Sequence, residues 1–132
     1  MRNSKSKILN PKQYQNSNNQ NSKQYDLEER TLKFAKEARN FIKKLSRTIT
    51  NIEYSKQLAR SSGPVAANYI EANEALSKKD FTMRIKICRK EAKESRLWLR
   101  LSEPRSENQT IQQELAQEAT EFLFRIDRKS VV

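Results

Sequence analysis

The 132-residue chain contains no histidine. Ser-His-Asp triads, Cys-His dyads, His-ligated zinc and the Glu-x-x-His ligand set of di-iron bundles all need an imidazole, so none of them can be built here. A single glycine, Gly63, cannot supply a phosphate-cradling loop or a dinucleotide fingerprint, both of which need several. With only three prolines besides, the chain has few means of turning sharply, which favours long helices. The one cysteine, Cys88, has no intramolecular disulfide partner, which fits a reducing compartment; on an apolar helical row it serves as a small packing hydrophobe. No run of about 18 apolar residues occurs, and the mean hydropathy of −0.99 agrees that no segment spans a membrane. The N-terminus is basic but lacks the apolar core of a secretory signal, so a cytoplasmic chain is the simplest expectation. Metals, cofactors and most enzyme classes lose their support together, and a non-enzymatic protein is expected.

Charge is abundant. One third of the residues (33%) are ionisable, and the formal net charge of +11 points to a polyanionic partner. Residues 1–24 hold five Lys or Arg and no acid, together with a tract of Asn, Gln and Ser, so they are expected to form a disordered basic arm. Residues 25–130 form one domain, because four apolar stripes with helical spacing follow one another across short connections. The first stripe is Leu27, Thr31, Phe34, Ala38, Phe41 and Leu45. The second is Leu58, Ser62, Val65, Tyr69, Ala72 and Leu76, and it passes through Gly63-Pro64 in register, which argues for a kink and not a stop. The third is Phe81, Ile85, Cys88, Ala92, Ser95 and Leu99; the fourth is Ile111, Leu115, Ala119, Phe122 and Ile126. The expected fold is all-α, an antiparallel up-down-up-down four-helix bundle with helices near residues 26–46, 50–77, 80–101 and 106–129. Asp26 and Asp80 are the expected N-caps of the first and third helices, and Ser106 with Gln109 has the form of a capping box for the fourth.

The run RSSGPVAANYIEANEALSKKDFTMRIKICRKEAKESRLWL, Arg60 to Leu99, resembles the 23S rRNA intervening-sequence protein family. The matching features are Ser61 and Ser62, Ala67 and Asn68 with Glu71 three residues on, the Lys78 to Phe81 segment, and Arg89 to Ser95. YDLEERTLKFAKEARNFIKKL, Tyr25 to Leu45, extends the likeness upstream, while Pro64 departs from it, standing where a small or polar residue is expected. The resemblance implies an antiparallel four-helix bundle, a homo-oligomer for which relatives point to a pentamer, and nucleic-acid binding through kinship with the accessory protein of diversity-generating retroelements.

The residues themselves nominate three sites. Lys86, Arg89, Lys93, Arg96 and Arg100 recur at steps of three and four along about 21 Å of the third helix, and with Lys36 and Lys43 of the first they form the expected nucleic-acid surface. Asn68 and Glu71, with Ser61 and Ser62, form a polar motif at the edge of the core, where bonds to each other or to a neighbouring helix are preferred over an RNA contact or a catalytic role, the latter lacking a partner group for the carboxylate. Met83, Ile87, Leu97 and Leu101 cannot share the inner face with the third stripe, so they mark an oligomer contact that Trp98 and Phe124 extend. The preferred function is phosphate binding to structured RNA with little base specificity. The alternative is an oligomeric adaptor for a protein partner, such as a reverse transcriptase or another ribonucleoprotein component. A membrane-surface helix is a weaker third reading, because every long helix already has a core for its apolar side.

Overall fold

The computed structural model describes the backbone of residues 18–131 and the side chains of 26–128. Its helices are α1 (Asn18–Lys44), α2 (Ile49–Asn73), α3 (Lys78–Leu101) and α4 (Gln109–Val131), the last preceded by a 3₁₀ turn at Ser106–Asn108. No strand occurs among the described residues. The links at residues 45–48 and 74–77 are only four residues long, so successive helices must run antiparallel. Each helix packs on the next and α1 closes on α4, giving an up-down-up-down bundle with α1 and α3 on opposite corners.

The stripes fill the core. Leu27, Phe34, Ala38 and Phe41 of α1 meet Leu58, Val65 and Tyr69 of α2, Ile85, Cys88 and Leu99 of α3, and Leu115, Ala119, Phe122 and Ile126 of α4, all buried. Phe34 and Phe122 meet edge to face at 5.4 Å and 83°, and Arg30 covers the Phe122 ring at 5.7 Å while its Nη2 and Nε donate to Glu118 at 2.6 and 2.9 Å. These contacts tie the α1–α4 seam, which is the least extensively packed of the four. α2 continues through Pro64, and Val65 and Tyr69 stay buried beyond it, as the unbroken register requires. Cys88 donates to the Val65 carbonyl at 3.3 Å, and burial pushes its thiol up to about 12, so it is a structural residue.

Several expected boundaries are corrected. α1 begins at Asn18, eight residues before Asp26, because nothing between them breaks a helix. Asp26 is therefore no cap; it lies inside α1 facing Arg30 at 3.8 Å and Arg125 at 3.3 Å. Residues 18–24 thus belong to α1, and the rest of the expected arm lies outside the described residues. α2 ends at Asn73, where the Glu74 N–H bonds back to the Ile70 and Glu71 carbonyls, and Leu76, expected to point inward, is 100% exposed. Ser77, not Asp80, caps α3, its hydroxyl accepting from the Asp80 N–H at 3.0 Å. Ser106 lies within the 3₁₀ turn, whose cap position is taken by Arg105 without a side-chain bond, so no capping box forms.

One buried side chain joins the two links at the same end of the bundle. Asn51, in the first turn of α2, donates from Nδ2 to the carbonyls of Ser46 (3.0 Å) and Glu103 (3.1 Å), while its Oδ1 accepts from the Glu103 N–H (3.0 Å). The α1–α2 link is thereby stitched to the segment that follows α3, and Arg105 reinforces the seam by donating from Nε to Ser46 Oγ at 3.2 Å.

Candidate nucleic-acid interface

α3 presents its cations in two classes. Arg89 donates from Nε to Asp127 of α4 at 2.6 Å, and Arg96 donates from Nη1 to Thr120 of α4 at 3.1 Å, so both are turned toward the α3–α4 seam and committed there. Lys86, Lys93 and Arg100 are exposed and make no ion pair among the described residues. They stand seven residues apart, so they form one nearly straight row with a step of about 10 Å. With Leu97 and Leu101 they line an open depression of about 830 Å³, in which Glu94 is the one acid. The surface expected from five cations thus has three free ones, reinforced at its margin by Arg89 and Arg96.

The cations of α1 do not join this row. α1 lies diagonally across the core from α3, so Lys36 projects from the opposite corner of the bundle, and Lys43 lines a different depression at the bundle end with Arg47, Lys56 and Arg105. The composite surface of first and third helices is corrected on this ground: ring order alone separates them.

The polar motif is a tie between α2 and α3. Ser61 is buried and accepts from Ser95 of α3 at 2.8 Å, and Ser62 is buried beside it. Asn68 donates to the Pro64 carbonyl at 3.0 Å and accepts from Arg84 Nη1 at 3.5 Å, while Glu71 pairs with Arg84 Nη2 at 3.2 Å. Arg84 is the member that sequence reasoning missed; its only local signal is its position one residue before Ile85, on the flank that α2 must cover.

Met83 (47% exposed), Leu97 (47%) and Leu101 (41%) lie outside the core, with Ile87 half-buried among them. Leu97 and Leu101 border the Lys86, Lys93 and Arg100 row, while Met83 lines a separate depression with Lys78, Lys79 and Lys86. Trp98 is different. It packs against the core and stacks on Tyr54 of α2 at 6.0 Å and 26°, so it closes the α2–α3 seam from outside. Phe124 projects from α4 into solvent. No His, Cys, Asp and Glu cluster of metal-binding geometry exists among the described residues, and no described helix is long and apolar enough to cross a membrane.

Comparison with known proteins agrees with the fold. A family model described as 23S rRNA-intervening sequence protein matches residues 23–128. The structure is similar to the crystal structure of a protein of unknown function from the S23 ribosomal protein family of Bacteroides thetaiotaomicron, with a TM-score of 0.69 and 26% sequence identity, covering 83% of this chain and 99% of that one. No curated protein matches the chain.

Proposed function

We propose, since the chain belongs to the 23S rRNA-intervening sequence protein family, that it is a non-enzymatic binder of structured RNA that grips phosphates through α3. The observation that carries this reading is the row of Lys86, Lys93 and Arg100, three cations at equal spacing on one rigid helix with no acidic partner among the described residues. Such a row displaces several condensed counterions at once, whereas scattered cations act only as weak steering. A-form RNA offers its phosphates and shape, not its base edges, to a helix surface of this kind, so little base specificity is expected.

The two arginines committed to α4 change the magnitude. Five phosphate contacts would give a log–log salt slope near −3.5 to −4.5, but the three free cations account for about 2 to 3 units of slope. Fluorescence anisotropy with a structured RNA between about 50 and 200 mM salt tests this. Lys86→Ala/Lys93→Ala/Arg100→Ala should flatten the slope by about 2 to 3 units. An unchanged affinity and slope in this variant would contradict the assignment to α3, and no binding by the unmodified protein would leave the adaptor as the better reading.

The apolar strip of Met83, Ile87, Leu97 and Leu101 supports self-association as part of the same reading. Met83, Leu97 and Leu101 are large hydrophobics left half exposed on one helix, and Leu97 and Leu101 share a depression with the cation row, which supports phosphate binding at the rim of an assembly.

A further inference from the structure

We propose that the end of the bundle formed by the α1–α2 link carries a second phosphate-binding surface, built from Lys43, Arg47, Lys56 and Arg105, which contacts the same structured RNA separately from the α3 row. The inference rests on the RNA-binding reading above and extends it to residues that α3 does not contain.

The depression at this end, about 650 Å³, is lined by those four cations and by the hydroxyls of Ser46 and Ser55, with no carboxylate in its wall. Lys43 and Arg47 make no ion pair among the described residues. Lys56 faces Glu53 at 3.4 Å, an exposed pair one helical turn apart that a phosphate can compete with. Arg105 is oriented by its Nε bond to Ser46 Oγ, which leaves its two terminal nitrogens, the bidentate part of the guanidinium, without a partner among the described residues.

The surface is also held rigid. Asn51, 1% exposed, fixes the Ser46 carbonyl and both backbone groups of Glu103, so the two links that carry Arg47 and Arg105 cannot drift apart. The first turn of α2 contains no acid, and its amide ends add positive potential on the same side. The carboxylates of Glu53 and Glu103 stand at the margin and limit the field without entering the wall.

The topology brings the two surfaces to the same end of the bundle. α3 runs toward this end, so the row Lys86, Lys93, Arg100 leads to it, and Arg105 lies five residues beyond Arg100 across the Ser102 to Pro104 corner. A folded RNA that covers the row and this end of the bundle therefore meets both sets of cations. Lys36, on the far corner, has no such path.

The test compares Lys43→Ala/Arg47→Ala/Lys56→Ala with the α3 variant on the same structured RNA, by anisotropy as a function of salt. These side chains are exposed and support no core contact, so the fold should be unaffected, which circular dichroism would verify. The expected result is about a tenfold loss of affinity near 100 mM salt and a slope shallower by about 2 units, with a further loss when both triples are combined. Wild-type affinity and slope in the end variant, alongside a weakened α3 variant, would overturn this proposal while leaving the α3 reading intact. If neither triple changes the binding, or the unmodified protein binds no RNA, both readings fall.

Discussion

Replacing Asn51 with alanine is expected to lower the stability of the bundle by about 2 to 4 kcal/mol, although the substitution removes no apolar contact. The side chain is almost wholly buried and makes three bonds to the backbone of two links far apart in sequence, with donor–acceptor distances of 3.0 to 3.1 Å. A hydrogen bond made in place of one to water is worth only about 1 kcal/mol, but a buried group left without a partner costs about 1 to 3 kcal/mol. Alanine would strand the Glu103 carbonyl and N–H, while the Ser46 carbonyl would keep only its bond from the Thr48 N–H at 2.9 Å, and water entering the gap would recover part of the loss. At about 4 °C per kcal/mol for a domain of this size, the midpoint of thermal unfolding should fall by roughly 8 to 16 °C. Asn68→Ala, which removes bonds from a half-buried site within the α2–α3 tie, should cost about 1 kcal/mol or less. Equal midpoints for Asn51→Ala and the unmodified protein in circular dichroism melts would show that the two links hold without the stitch.

The second large effect concerns assembly. The unmodified protein is expected to self-associate at micromolar concentration, and Leu97→Asp to give a 15.5 kDa monomer with its helical content unchanged. Leu97 is half exposed in the single chain, so an aspartate there stays hydrated when the chain is alone. In an assembly that covers this face, the same carboxylate would be buried in an apolar contact, a penalty of several kcal/mol repeated at every interface that Lys93 and Arg100 beside it would offset only in part. The neighbouring cation row adds a signature. Association brings like charges within a few ångströms to a Debye length of about 8 to 10 Å, so raising salt should strengthen assembly while it weakens RNA binding, and RNA should itself promote assembly. Light scattering would decide this: a wild-type mass that is monomeric throughout the micromolar range, or an oligomeric mass that Leu97→Asp leaves in place, contradicts the interface.

What the sequence makes legible follows the range of the physics involved. The core stripe from Leu27 to Leu45 and those of α2 to α4 are visible because helical periodicity is local, and four such stripes on short links have essentially one compact arrangement. Boundaries are harder. The Asn, Gln and Ser run ahead of Asp26 contains no stop signal, and α2 ends at Asn73 without a proline or glycine to announce it, so the apolar spacing runs on to Leu76 beyond the point where the backbone leaves the helix. Ser77, three residues before Asp80, did carry a cap signature that competes with Asp80 itself.

The site divides in the same way. The row on α3 is a spacing and can be counted, but the commitment of Arg89 to Asp127 and of Arg96 to Thr120 depends on the register between α3 and α4, which no local pattern encodes. Asn51 is invisible for a stronger reason, since its partners are 5 and 52 residues away. The separation of Lys36 from α3 needed only the ring order that short links impose, and could have been read from the topology alone.

Lysine footprinting tests the central claim most directly. The protein is acylated briefly with and without a saturating structured RNA, and modification at each lysine is read by mass spectrometry. RNA should protect Lys86 and Lys93 on α3, and leave Lys33 and Lys36 on the opposite corner modified at their free-protein rate. Protection of Lys33 and Lys36 with Lys86 and Lys93 unchanged would contradict the account.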